Sequence, residues 1–144
     1  MRGYVNWNTA ANSSYYSNNT IYVALATAAY TPAHTHTIWA NVSGSESSAT
    51  GYTAGGQAVT LSNTYTITGA AYPYTTQFML AANPTWTITS GTLDYHYAVY
   101  YINATVNSIV KPLLSYQDLG ANTCTSGVVT LTEPVVGPIN LKAD

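Results

Sequence analysis

The stretch Gly51-Tyr52-Thr53-Ala54-Gly55-Gly56-Gln57-Ala58-Val59-Thr60-Leu61 decides how this chain reads. Gly51, Gly55 and Gly56 fall within six residues, marking a backbone that turns or approaches a neighbour where a Cβ would not fit. They are read as a structural turn. From Gln57 onward, Val59, Leu61, Tyr65 and Ile67 hold odd positions, while Thr60, Ser62, Thr64, Thr66 and Thr68 hold even ones. Alternation of this length predicts one strand over 57–68 with a buried and a wet face. Asn63, a polar residue on the apolar side, predicts a bulge or bend. A phosphate cradle is set aside, because it needs a helix N-terminus and usually a lysine, and neither follows these glycines.

Working outward, Ile21, Val23 and Leu25 alternate with Tyr22 and Ala24, predicting a strand that Pro32 closes. A short helix or turn is expected at 37–42 and a serine-rich loop at 43–48. Beyond the break at Gly69 and Pro73, strands are expected at 77–81 and 85–89, separated by the Asn83-Pro84 turn signal. A longer strand is expected over 92–102, with Leu93, Tyr95, Tyr97, Val99 and Tyr101 on one face. Residues 113–118 read as strand, 120–126 as turn, and 128–133 and 135–141 as two last strands. Pro134 and Pro138 point to a sheet edge, since proline cannot donate to a ladder. No helical period of useful length occurs. The expected fold is all-β, a single-domain β-sandwich or jelly roll of about seven to eight short strands. Residues 1–19 would form an N-terminal arm rich in Tyr, Asn and Ser, and residues 20–144 the β domain.

Charged residues make up only 6% of the 144 residues, against about 25% in ordinary soluble domains. A surface built from Thr, Ser, Asn and Tyr makes hydrogen bonds that salt does not screen, and it suits packing against other subunits. Arg2, Lys111 and Lys142 are the three cations, too few to neutralise phosphates, so no nucleic-acid partner is expected. No cleavable leader opens the chain, and no apolar run approaches the ~18 residues that cross a bilayer, so no membrane partner is expected either. The single Cys124 forms no intramolecular disulfide and reads as inert or partly buried.

Chemistry is sparse. The acids are Glu46, Asp94, Asp118, Glu133 and Asp144, with no pair close in sequence. His34 and His36 would share a side of an extended segment, and a metal site with Asp94 or His96 is the alternative to surface or interface histidines. No cofactor, metal or catalytic residue is assigned, and the chain is not read as an enzyme. Fourteen tyrosines and three tryptophans are the conspicuous feature. Such rings bury large area yet keep a polar tip, as interfaces require, and they also stack on sugars. Tyr95, Tyr97, Trp86 and Phe78 are read as core. Trp7, Tyr15, Tyr16, Trp39, Tyr52, Tyr72 and Tyr74 are the candidate interface residues.

Several runs resemble a family of small virion proteins of tailed bacteriophages. Leu25-Ala26-Thr27-Ala28-Ala29-Tyr30-Thr31-Pro32 is similar to its "LxTAAYTP" run. Thr37-Ile38-Trp39-Ala40-Asn41-Val42 follows, and Ala49 to Leu61 resembles its "GTGYTAGGxxL" segment. Ala82-Asn83-Pro84-Thr85-Trp86 matches an acidic-Pro-Thr-Trp run, with neutral Asn83 in the acidic place. Tyr97-Ala98-Val99-Tyr100-Tyr101 resembles its "YAVVY" strand and Leu114-Ser115-Tyr116-Gln117-Asp118-Leu119-Gly120 its "YxDxG" segment. The order and spacing match across Ile21 to Leu141. The resemblance implies a non-enzymatic structural protein, a decoration or cement protein on the capsid surface, made in the host cytoplasm. Its partners would be the major capsid protein and copies of itself. A receptor- or glycan-binding module of a head or tail fibre, or a self-assembling tail or tube subunit, is the alternative.

Overall fold

The computed structural model describes residues 20–62, 75–132 and 139–142. The arm at 1–19, the bulge at Asn63, the break at Gly69 and Pro73, and the edge prolines Pro134 and Pro138 lie outside the described residues. All sheets are antiparallel, so the all-β reading holds.

The centre is β1 (Ile21–Ala26), paired on one side with β2 (Gln57–Val59) and on the other with β6 (Leu93–Ile102). The strand β9 (Leu113–Cys124) adds to β6, giving the order β2-β1-β6-β9. Both faces of β1 are buried. Ile21, Val23 and Leu25 enter one apolar cluster, while Ala24 and Ala26 enter a second on the opposite face. The small alanines leave room above them for Tyr30, Trp39 and Val42 from the loop that follows. The first cluster is completed by Leu80, Trp86, Ile88, Val129 and Leu131. These come from β4 (Thr75–Leu80), β5 (Thr85–Ile88), β10 (Gly127–Thr130) and the residue just past it. Burying each large side chain of this kind is worth roughly 1.5–3 kcal/mol.

In β5 the alternation works as expected: Trp86 and Ile88 point inward, and Thr85 and Thr87 outward. Its partner β10 follows the same rule, with Val129 opposite buried Trp86 and exposed Val128 opposite Thr87. Between β4 and β5 the chain bends at Ala81-Ala82, just before Asn83-Pro84, and the Pro84 carbonyl accepts a hydrogen bond from Leu131 N–H at 3.0 Å.

Four expectations are corrected. The single strand over 57–68 divides at Thr60: β2 joins β1, whereas β3 (Leu61–Ser62) joins β4, in a sheet ordered β11-β4-β3 with β11 (Ile139–Lys142). Alternation encodes which face a side chain takes, and it carries no information about which strand the backbone pairs with. Second, β6 does not keep one face. Leu93 and Tyr95 pack with the first cluster, while Tyr97, Val99 and Tyr101 pack with the second. The cause is a bulge: between the pairs Tyr95↔Asn122 and Tyr97↔Asp118, His96 alone faces Leu119, Gly120 and Ala121, and such an irregularity re-aims the side chains beyond it. Third, 120–126 is not a turn. The strand β9 runs through Gly120, whose φ of +72° absorbs the bulge, and ends at Cys124. Fourth, eleven strands occur among the described residues. The unforeseen ones include the hairpin of β7 (Thr105–Val106) and β8 (Ile109–Val110). Its turn residues Asn107 and Ser108 have φ of 49° and 66°, the geometry of a two-residue type I′ turn. Asn-Ser is a weaker signal for that turn than Asn-Gly.

Candidate interface on the tyrosine face of the central sheet

The glycine loop is the fastener between layers. A Cβ on Gly56 would lie 1.9 Å from the Val23 carbonyl oxygen of β1, and one on Gly51 would lie 1.9 Å from the Thr87 oxygen of β5. The Gln57 side chain donates to Thr85 O at 2.9 Å. Inside the loop, the Glu46 carboxylate accepts from the Tyr52 hydroxyl at 3.0 Å and from Gly55 N–H at 2.5 Å. Tyr52 accepts in turn from Leu25 N–H at 2.9 Å, and the Tyr101 hydroxyl donates to Gly55 O at 2.7 Å. Glu46 is placed there by its bridge to Ala26. Burial, followed by the Glu46 charge, pushes both phenols up, Tyr101 to about 12 and Tyr52 further. These hydroxyls are structural donors, kept protonated.

On the face of the central sheet that carries the second cluster, register lines up the rings. Tyr22 lies opposite Tyr101, Val99 opposite Tyr116, and Tyr97 between Ala26 and Asp118. Trp39 is buried and stacks on Tyr101, with centroids 4.6 Å apart and planes 16° apart. Lys111 Nζ stands 5.9 Å above the same ring. Tyr22, Tyr97 and Tyr116 form a half-buried rim. Tyr30 and Tyr116 both meet Tyr97 edge-on, at 89° and 78°. Beside them, the His96 ring packs against Tyr97 with centroids 4.4 Å apart and planes tilted by 35°, and its Nε2 lies 3.1 Å from Asp118 Oδ1. Partial burial and the Asp118 charge push the Tyr97 phenol up.

Of the residues singled out from sequence, Trp39 and Tyr52 sit in these two networks, Trp39 beneath the rim and Tyr52 in the glycine fastener. Trp7, Tyr15, Tyr16, Tyr72 and Tyr74 lie outside the described residues. Trp86 is core, Tyr95 is half-buried against the first cluster, and Cys124 packs there too. The extended segment expected at His34 and His36 is instead a turn, closed by His36 N–H donating to Ala33 O at 3.0 Å. His34 is exposed, whereas His36 Nδ1 lies 3.4 Å from the Tyr30 hydroxyl. His96 pairs with Asp118 and not with neighbouring Asp94. Among the described residues no three His, Cys, Asp or Glu gather where they could hold a metal ion. The other ring nitrogen, His96 Nδ1, is buried with no hydrogen-bond partner among the described residues.

Sequence reasoning passed over Glu46, although a lone acid beside a serine run in so uncharged a chain was a usable signal. Nothing local could pair His96 with Asp118, which lies on another strand. What the face offers chemically is neutral phenol rings, edge-packed, with the His96–Asp118 contact at the border. That composition suits protein contact, since Tyr is enriched and charge depleted at interface cores. No protein-family model, curated protein or solved structure matches this chain.

Proposed function

We propose that this protein is a non-enzymatic structural protein of a tailed-bacteriophage virion, a capsid decoration protein that binds major capsid subunits and stabilises the head. The observation that carries the reading is the half-buried rim of Tyr22, Tyr97 and Tyr116 on a sheet face bordered, among the described residues, by the His96–Asp118 contact. The very low charge of the chain and the ordered series of virion-protein motifs support it. In this reading the layers on either side of the first cluster form a β-sandwich of jelly-roll type. The sandwich acts as a rigid wedge whose tyrosine face covers the junction between neighbouring capsid subunits. The N-terminal arm and copies of the protein itself extend the contact.

Edge-packed rings favour this over a sugar platform, because Tyr30 and Tyr116 stand nearly perpendicular to Tyr97 and leave no common plane. A standard interface buries about 800 Å² per partner, and repetition over a shell turns a modest contact into a large one. The test is light scattering of the purified protein, followed by co-sedimentation with expanded capsids of its own phage. Stoichiometric binding that raises the heat resistance of the capsids is expected. Absence of co-sedimentation at saturating protein overturns the proposal.

A further inference from the structure

Away from the tyrosine face, the first cluster opens to the surface as a groove of about 180 Å³ between β9 and the end of β10. Leu119 and Leu131 supply apolar walls, and Tyr95, Gln117, Asn122 and Thr130 supply hydroxyl and amide groups. No lining residue is charged. The bulge opposite His96 shapes this end, held by Asn122 Nδ2 donating to Leu119 O at 2.9 Å and Gly120 O at 3.0 Å. Beside it, Gln117 Oε1 is buried and has no partner among the described residues. A buried acceptor without a donor costs stability, so a ligand hydroxyl that donates to this oxygen would recover that cost.

The geometry points to a binding site for one uncharged, hydroxylated ring, a single hexose unit of a glycan. A charged ligand would be desolvated without a counter-charge, and a purely apolar one would leave the amide unpaired. The volume is below the roughly 300–1,000 Å³ of sites that take drug-sized molecules, which limits the occupant to about one ring. A lone Thr or Asn side chain from a protein partner would fill only part of the space and use few of the converging polar groups. In the site, the Gln117 side chain turns toward the groove so that its oxygen accepts from a ring hydroxyl, while the C–H face of the sugar lies against Leu119 and Leu131. This inference is independent of the decoration reading, because the groove and the tyrosine face draw on different clusters.

The test is a methyl-resolved NMR titration of the full chain with D-glucose, D-galactose and N-acetyl-D-glucosamine, each to about 50 mM, the range a millimolar site requires. Saturable shifts of the Leu119 and Leu131 methyls with at least one sugar are expected. The near-isosteric Gln117→Leu should leave the rest of the spectrum intact and weaken that binding about tenfold or more, as loss of a charge-free hydrogen bond allows. Thr130→Val serves as the second variant if Gln117→Leu does not fold. The proposal is overturned if no groove methyl moves with any sugar, or if shifts persist unchanged in the variant. It is equally overturned if the sugar shifts cluster at Tyr22 and Tyr97, or if added capsids and not sugars move the groove methyls. Co-sedimentation with capsids reads the decoration proposal separately.

Discussion

Replacing Gly56 with alanine tests whether the glycine loop fastens the sheets. At Gly56 φ is +74°, and the new Cβ would lie 1.9 Å from Val23 O and 2.6 Å from both Val23 C and Ala24 Cα. These are backbone atoms at the fully buried centre of β1, so no side chain can swing away. Restoring even 3.0 Å, the least that real Cβ contacts show, requires β1 and the loop to part by 1.1 Å. That shift pulls on the Ile21–Val23 pairing with β2. Two or three ladder bonds at about 1 kcal/mol each, plus about 1–2 kcal/mol for a left-handed alanine, give a loss of about 4 kcal/mol. Gly120 is the control: its φ of +72° is nearly the same, yet nothing lies within 4 Å of its Cβ position. Gly120→Ala should therefore cost only the conformational share, about 1–2 kcal/mol. Guanidinium unfolding followed by the fluorescence of buried Trp39 and Trp86 measures both. A folded Gly120→Ala beside a Gly56→Ala that never folds would agree with the argument. Equal losses, within about 0.5 kcal/mol, would refute it, because the clash would then contribute nothing.

Three further outcomes are expected. The Tyr101 and Tyr52 phenols hold their protons in the folded chain past about pH 10, where the unfolded chain loses them. The unfolded state then binds fewer protons, so stability is full below about pH 10 and falls as pH rises through about 12. Unfolding midpoints taken from pH 9 to about 11 should decline, and Tyr101→Phe should lessen the decline to the share left by Tyr52 while costing about 1 kcal/mol at neutral pH for the lost bond to Gly55; a flat wild-type profile contradicts this. In the β7–β8 hairpin, Ser108→Gly should raise stability by about 0.5–1 kcal/mol, since only glycine is at ease at φ 66°; a loss in thermal unfolding would mean the Ser108 side chain matters. At the proposed capsid contact, Tyr22→Ala and Tyr97→Ala should each weaken co-sedimentation by about 2 kcal/mol, roughly 30-fold, whereas Val128→Thr on the far layer should not. Equal binding by all three variants removes the tyrosine face from the interface.

Where a residue's burial follows from its own strand, the sequence was readable. Thr85-Trp86-Thr87-Ile88 alternates in the chain and in space, and Ile21, Val23 and Leu25 enter the core together. Gly51, Gly55 and Gly56 all take positive φ, and the wide separation of Val23 and Thr87 from them in sequence hid what they press against. The tyrosine rim was legible as a surplus of tyrosine but not as a place. Trp39 was read as an interface residue and sits stacked on Tyr101, because the loop carrying it folds back over Ala24 and Ala26.

Strand type, an apolar interior and a surface almost without charge were determined by the sequence itself, since side-chain period and composition are properties of neighbouring residues. The division of residues 57–62 between two sheets, the face change at His96, the pairing of His96 with Asp118 and the unpaired Gln117 oxygen were decided only by tertiary structure. Each depends on which distant strand lies alongside, and a backbone hydrogen bond carries no mark in the sequence of the partner it will find.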